Sequence, residues 1–197
     1  GLVNSMTDPG GNLTGVASGV ATSKSLEWYK RVFPDLKKIL AFHNPNDSSS
    51  VQSLKSLKKT AQSLALSIVV SEIYDRKSLE KALNAIPENI DGIYVLPSAV
   101  ITVHTDLISK KAIQQQLLTA STAQLAQKGV AVTYGIKYVA LGEQVSRIAN
   151  QILKGSKPSE LPVQLAEFFL EINLNTVKAV GSDISDDYLE QADRIIN

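Results

Sequence analysis

Residues 39–50 read Ile39-Leu40-Ala41-Phe42-His43-Asn44-Pro45-Asn46-Asp47-Ser48-Ser49-Ser50, a short apolar run followed by a polar turn. The apolar run, 39–43, lacks strict polar alternation, which is typical of a strand buried on both faces of a parallel sheet. Between Val51 and Leu64 apolar side chains recur at helical spacing, with lysines and glutamines on the opposite face. The stretch therefore predicts a buried strand, a polar loop and an amphipathic helix, which together form one βα unit.

The same pattern recurs along most of the chain. Four further apolar runs, at 66–71, 92–96, 117–120 and 130–134, have the composition of buried strands. Helical spacing returns between them, in a segment that Pro87 ends and, less clearly, over 102–116. Strands that alternate with helices predict an α/β fold with a doubly wound parallel sheet.

The two ends of the chain differ from this middle part. Residues 1–20 are rich in Gly, Asn, Ser and Thr, and a helix after the last strand is predicted to end at Gly155. Beyond 158–162, where two prolines interrupt the chain, the βα alternation stops. Two short closing helices are predicted, capped by Asn175 and Ser185. We expect this tail to belong to a different sheet.

The overall composition excludes several classes of protein. With 20 basic and 19 acidic residues among 197, the chain has no sustained positive surface, so nucleic-acid binding is not predicted. It has no cysteine, and no apolar run approaches the roughly 20 residues that a membrane span needs. The first five residues show no secretory signal. We predict no cofactor.

Polar residues follow the carboxyl ends of the predicted strands, where an open parallel sheet binds its ligands. They are mostly uncharged, with Asp47 the exception, which favours recognition of a small polar ligand over proton transfer. The candidate ligand-binding residues are Asn44, Asn46, Ser49, Ser50, Pro97, Ser98, Ser121, Thr122 and Tyr134. The serines at 48–50 either hold a ligand carboxylate with hydroxyls and backbone amides, or one of them simply caps the helix.

Catalytic chemistry has little support in the sequence. The two histidines, His43 and His104, are far apart and form no HExxH-type metal motif, and no GxSxG nucleophile motif occurs. We therefore predict no catalytic residues, no metal ligands and no enzyme activity. An α/β enzyme that uses Ser121, Thr122 or Tyr134 stays as the weakest alternative.

An ordered series of short motifs resembles one known family. These are Asp8-Pro9-Gly10-Gly11-Asn12-Leu13-Thr14-Gly15, Phe33-Pro34-Asp35-Leu36, Asn44-Pro45, Asp91-Gly92-Ile93-Tyr94-Val95-Leu96-Pro97, Tyr134-Gly135-Ile136-Lys137-Tyr138, Ile152-Leu153-Lys154-Gly155-Ser156-Lys157-Pro158 and Ile172-Asn173-Leu174. The series resembles ABC-transporter substrate-binding proteins, and within them the branch that binds tryptophan and other aromatic amino acids. The resemblance spans essentially the whole chain.

The resemblance implies a type I periplasmic-binding-protein fold with one complete lobe and part of a second. Residues 1–19 would be partial lobe one and hinge, 20–138 lobe two, and 139–197 a hinge helix and returning parts of lobe one. The N-terminal half of lobe one would be absent. Closure would occur at hinges near Ser18-Gly19 and 135–138. Ser98 and Lys137 depart from the family pattern, because amino-acid-binding members carry acidic residues at both positions.

The resemblance also implies partners and a location. The chain would capture a small, amino-acid-like ligand outside the cytoplasm, in the periplasm or at the cell surface, and present it to an ABC permease. The alternative hypothesis is a ligand-binding sensor domain of a membrane receptor. If lobe one is incomplete, apolar side chains such as Leu161, Val163 and Leu165 should be exposed, to be covered by further residues or in a homodimer.

Overall fold

The computed structural model describes residues 2–17 and 21–197. The chain forms two compact units, one made of Gly1–Val20 and Ile136–Phe168 and the other of Ala21–Gly135 and Phe169–Asn197. The predicted hinge at Ser18-Gly19 lies outside the described residues. The second predicted hinge, 135–138, contains the boundary between the units at Gly135 and Ile136.

Nine strands and eight α-helices make up the described chain, with single 3-10 turns at Ala126–Lys128 and Pro158–Glu160. In chain order they are β1 (Val16–Ala17), α1 (Ala21–Val32), β2 (Lys38–His43), α2 (Ser48–Ser63), β3 (Ser67–Glu72), α3 (Arg76–Asn84), β4 (Gly92–Val95), α4 (Ala99–Thr102), α5 (Thr105–Gln114), β5 (Leu118–Ser121), β6 (Val132–Ile136), α6 (Tyr138–Leu153), β7 (Gln164–Leu165), β8 (Phe168–Asn173), α7 (Leu174–Ala179), α8 (Asp186–Leu189) and β9 (Arg194–Ile196).

The larger unit is built on a seven-stranded sheet in the order β3-β2-β4-β5-β6-β8-β9. Strands β2 to β6 pair in parallel, and β9 is parallel to β8. β8 runs antiparallel to β6, because Asn173 bonds to Ala131 whereas Glu171 lies beside Thr133. The five strands predicted from the sequence are β2 to β6, within two residues at each end. The α/β class with a doubly wound, mostly parallel sheet is confirmed.

Both faces of this sheet are buried. Along β2, Ile39 and Ala41 join one core cluster with α1 and α2, while Leu40 and Phe42 join a second cluster with α3 and α5. Each of these four side chains is at most 2% exposed. Burying one large apolar side chain contributes roughly 1.5–3 kcal/mol, so helices on both faces are needed to secure these strands. This double burial explains why the strand sequences lack polar alternation.

The smaller unit is held together by a short parallel pairing and one helix. Val16 pairs with Gln164 and Ala17 with Leu165 in a two-stranded sheet of β1 and β7. From α6, the buried Gln144 side chain donates to Gln164 Oε1 and to the Leu165 carbonyl at 3.0 and 2.9 Å. The helix ends at Leu153, and Gly155, the predicted capping residue, follows with a φ of +103°.

Three expectations from the sequence need correction. The tail does not form a different sheet, because β8 and β9 extend the seven-stranded sheet and only β7 pairs elsewhere. The helix expected over 102–116 begins only at Thr105, as α5, because the short helix α4 ends at Thr102 and the chain breaks at Val103-His104. The cap of α7 is Asn173, whose side chain accepts a hydrogen bond from the Thr176 amide, rather than Asn175.

Gly92 offers a direct test of the packing at the start of β4. A Cβ atom there would lie 2.0 Å from the Tyr29 hydroxyl and 3.0 Å from the Leu118 carbonyl oxygen. Tyr29 is fully buried and packs edge-to-face on Phe33, so it has no space into which to withdraw. We expect Gly92→Ala to lower the free energy of unfolding by about 1–3 kcal/mol, measured by urea denaturation.

Gly142→Ala is the matched control. Gly142 lies inside α6, and no atom comes within 4 Å of the place that a Cβ atom would take there. Alanine should therefore stabilise that helix by about 0.5–1 kcal/mol. Equal effects of the two substitutions would contradict the packing described for β4.

Candidate functional site

The strand order creates a topological switch point between β2 and β4. From β2 the chain passes through α2 to β3 on one side, whereas β4 pairs with the other side of β2. The loops that leave β2 and β4 therefore diverge from adjacent strand ends, and such a crevice is where open α/β sheets bind ligands. These loops and the first turn of helix α2 contain six of the nine candidate residues: Asn44, Asn46, Ser49, Ser50, Pro97 and Ser98.

Side chains from the two loops contact each other across the switch point. Asn44 Nδ2 lies 3.2 Å from Ser98 Oγ, and both residues are buried. In the first turn of helix α2, the Ser49 hydroxyl lies 3.4 Å from the Pro97 carbonyl oxygen. The structure thus brings together four candidate residues that are about 50 positions apart in the sequence.

Asp47 begins helix α2 and organises its first turn. Its Oδ1 atom accepts hydrogen bonds from the Ser49 and Ser50 amides, at 2.9 and 3.4 Å, and from the Ser49 hydroxyl at 2.5 Å. The Ser49 hydroxyl, followed by these amides and the Ser98 side chain, lowers the pKa of Asp47 below its ordinary value of 3.8 despite partial desolvation. Asp47 is therefore an ionised, partly exposed carboxylate at the switch point.

This arrangement answers the question left open about the three serines. The helix cap is Asp47, not a serine. The amides of Ser49 and Ser50 are already bonded to Asp47, so they are not available to a ligand carboxylate. The sequence did carry a signal for this role, because Asp is among the preferred N-cap residues and stands directly before the predicted helix.

Ser50 supports the loop after β2 from its buried side. It is fully buried, and its hydroxyl lies 3.1 Å from His43 Nδ1 and accepts the Asn44 amide at 3.0 Å. Asn46 is exposed, and its amide donates to Asn44 Oδ1 at 2.9 Å. These bonds fix the conformation of the Asn44 loop, since the Asn44 and Asn46 amides both have side-chain partners.

The remaining candidates follow the next two strands, β5 and β6. The Ser121 carbonyl accepts the Ser25 hydroxyl at 3.0 Å, and the Ser121 hydroxyl accepts the Ala123 amide at 3.1 Å. The Thr122 carbonyl packs directly on Gly135, where a Cβ atom would come within 1.6 Å of it. The carboxyl end of β5 is therefore closely packed.

Tyr134, on β6, forms an aromatic contact with helix α1. Its ring centroid is 5.9 Å from that of Trp28, with the planes tilted by 32°. The Arg31 guanidinium lies 4.9 Å from the Trp28 centroid. Both aromatic rings are partly exposed. Trp28 is partly buried and packs at the margin of the core.

A cavity of about 700 Å³ lies at the opposite edge of the sheet, near the amino ends of β4 and β5. Its acidic lining residues are Asp35, Glu88, Asp91 and Asp183. Asp91 is engaged in the fold, because its Oδ2 accepts the Lys37 and Lys38 amides, each at 2.7 Å. At the carboxyl edge, by contrast, segments that follow different strands converge on shared polar contacts.

Two further features bear on function. In residues 2–17 and 21–197, no helix has the length and apolar character needed to cross a bilayer. Over the same residues, no group of three or more His, Cys, Asp or Glu side chains is arranged to hold a metal ion.

Comparison with known proteins identifies related sequences. A family model described as ABC transporter substrate binding protein matches residues 1–196. A tyrosine-binding protein of Clostridioides difficile (strain R20291) is 29% identical over 182 residues, which are 91% of this chain and 53% of that protein. This chain therefore spans about half the length of the curated relative.

Two solved structures share the fold. The ligand-free, open structure of a substrate-binding protein with adhesive properties from Clostridium difficile superposes with a TM-score of 0.84, at 24% identity, over 100% of this chain and 67% of that one. An ABC domain in complex with L-Trp from Streptococcus pneumonia gives a TM-score of 0.80, at 22% identity, over 99% and 68%.

The buried Ser50 hydroxyl should be important for stability. Ser50→Ala leaves the buried Asn44 amide without a partner, so we expect a loss of about 1–3 kcal/mol in the free energy of unfolding. Ser48→Ala, on the exposed side of the same turn, should change it by no more than about 0.5 kcal/mol. Urea denaturation of both variants tests this, and equal losses would contradict the assigned role.

The Asp47 cap should stabilise the fold in a pH-dependent manner. Because the folded-state pKa of Asp47 is lowered, its contribution is complete above the unfolded value of 3.8 and is lost as the pH falls through the folded value. Asp47→Ala should cost about 1 kcal/mol at pH 7. The difference from the wild type should shrink below about pH 4, and a difference that grows in acid would contradict this assignment.

Proposed function

Because this chain belongs to the family of ABC transporter substrate-binding proteins, we propose that it captures a small, amino-acid-like ligand and presents it to an ABC permease. The observation that carries the proposal is the pair of polar loops after β2 and β4, which contact each other at the switch point of the sheet. In this proposal the ligand contacts come from Asn44, Asn46, Ser49, Pro97 and Ser98, with Ser50 supporting the loop from below.

Relatives support an amino acid as the ligand. One is a tyrosine-binding protein and another was solved with L-Trp bound. In this chain, Tyr134 and Trp28 form a partly exposed aromatic pair, which suits an aromatic ligand side chain. Ser121 and Thr122, at the end of the neighbouring strand, complete the proposed site.

The polar groups of the site favour binding over catalysis. Asp47 is held ionised by its hydrogen bonds, which makes it a poor general acid at neutral pH. His43 is buried beneath the loop and bonded to Ser50. The site therefore offers fixed hydrogen-bonding groups rather than a matched acid and base.

The remaining parts of the proposal concern the whole protein. We place it outside the cytoplasm, as is typical of the family, with ligand binding coupled to closure at 135–138. In the smaller unit, Leu165 is 63% exposed and Leu153 86%, whereas Leu161 and Val163 are half-buried. Such apolar exposure supports a covering surface, supplied by further residues of lobe one or by a second copy of the chain.

A thermal-shift screen of the full-length protein tests the proposed function. Among amino acids, nucleosides and small carboxylates, L-tyrosine and L-tryptophan should raise the melting temperature, since a ligand at 100 times its Kd stabilises by about 2.7 kcal/mol. Ser98→Ala should weaken binding by about threefold to tenfold, through loss of one hydrogen-bonding group.

Glu88→Gln is the control, because Glu88 lines the cavity at the opposite edge of the sheet. It should leave the affinity unchanged. No response to any compound, or a loss of affinity confined to the Glu88 variant, would refute the proposed site.

A further inference from the structure

Three backbone amides at the start of helix α2, beside the switch point, already have partners. In the first turn of α2, the amides of Ser49 and Ser50 bond to Asp47 Oδ1 and the Val51 amide bonds to the Asp47 carbonyl. A ligand that approaches this turn therefore meets no unbonded donor among these three amides. Helix N-termini commonly bind anions through such amides, but these three are already engaged within the turn.

At the switch point, the Asp47 carboxylate and the Pro97 carbonyl can each accept a further hydrogen bond. All the cap bonds go to Asp47 Oδ1, and the Ser98 hydroxyl also interacts with the carboxylate. A carboxylate oxygen has two lone pairs, so Oδ2 can still accept another donor. The Pro97 carbonyl is near the Ser49 hydroxyl at 3.4 Å, but that hydroxyl lies 2.5 Å from Asp47 Oδ1. A hydroxyl has a single hydrogen, so the Pro97 carbonyl oxygen can accept another donor.

The switch point also carries a negative charge that no cation in its loops balances. The loops at 43–50 and 96–99 contain no lysine or arginine, and Asp47 is their one carboxylate. The interactions that stabilise its charge come from hydroxyls and amides rather than from a cation. A partly exposed carboxylate of this kind attracts a positively charged group more strongly than a fully hydrated one does.

We infer that Asp47 is the specificity-determining residue that binds the positively charged ammonium group of the ligand, with the Pro97 carbonyl as a second acceptor. The inference rests on the proposed function and names the chemical class of its ligand, a primary amine. An ammonium group has three hydrogens, which match Asp47 Oδ2, the Pro97 carbonyl and one further acceptor. Charge-assisted bonds of this kind are among the strongest in proteins.

Asp47→Asn separates this role from helix capping. Asparagine caps helices as well as aspartate does, so the variant keeps the fold of the first turn and loses only the charge. Asp75→Asn is the matched control. Asp75 caps α3 with its side chain, and its pKa is lowered in the same way by Ser78, but it follows edge strand β3, away from the switch point.

Isothermal titration of the full-length wild type and both variants tests the inference. The probes are L-tyrosine, tyramine, which keeps only the ammonium, and 3-(4-hydroxyphenyl)propionate, which keeps only the carboxylate. We expect Asp47→Asn to weaken L-tyrosine and tyramine binding by about 10- to 100-fold, with Asp75→Asn unchanged. The propionate should bind the wild type far more weakly than L-tyrosine, and Asp47→Asn should not weaken it further.

The possible failures are distinguishable. If the wild type binds L-tyrosine but Asp47→Asn binds it equally well, the inference is wrong and the proposed function stands. The same holds if the propionate binds as tightly as L-tyrosine. If the wild type binds neither of the two amines, the inference is overturned together with an amino acid as the ligand.

Discussion

The requirement that β2 and β4 bury both of their faces constrains the rest of the larger unit. Helices must cover the sheet on both sides, and Ile39 and Leu40, adjacent in sequence, face two different cores. Apolar side chains fill those faces, so polar groups that can meet a ligand are restricted to the ends of the strands. The carboxyl ends of β2 and β4, where the chain diverges in opposite directions, are the place where two such polar loops meet.

The chemistry of the switch point depends on one carboxylate, that of Asp47. Asp47 satisfies the first amides of α2 and, in doing so, removes them as donors for a ligand. The same bonds keep Asp47 ionised, so the switch point has a negative charge and hydrogen-bond acceptors that a ligand can reach. A single side chain thus secures the first turn of the helix and, as we infer above, sets the sign of charge that the site favours. Stability and specificity are linked here because both depend on the same hydrogen bonds.

Much of this could be predicted from the sequence, because the strands and helices of the βα units have local signals. Apolar runs and helical spacing located β2 to β6, and the position after each strand indicated six residues in the loops and first helical turn at the switch point. The place of β8 and β9 could not be predicted in this way. Their membership of the same sheet depends on pairings such as Glu171 with Arg194 and Asn173 with Ala131, which carry no local pattern. The engagement of the Ser49 and Ser50 amides likewise depends on side-chain geometry.

The most direct test of the central claim, that a small ligand binds at the switch point of the larger unit, is a crystal structure of the full-length protein grown with L-tyrosine. Ligand density in contact with Asn44, Asp47 and the Pro97-Ser98 turn is the predicted result. Density in the cavity lined by Asp35, Asp91 and Asp183, with both loops free of ligand, would contradict the claim.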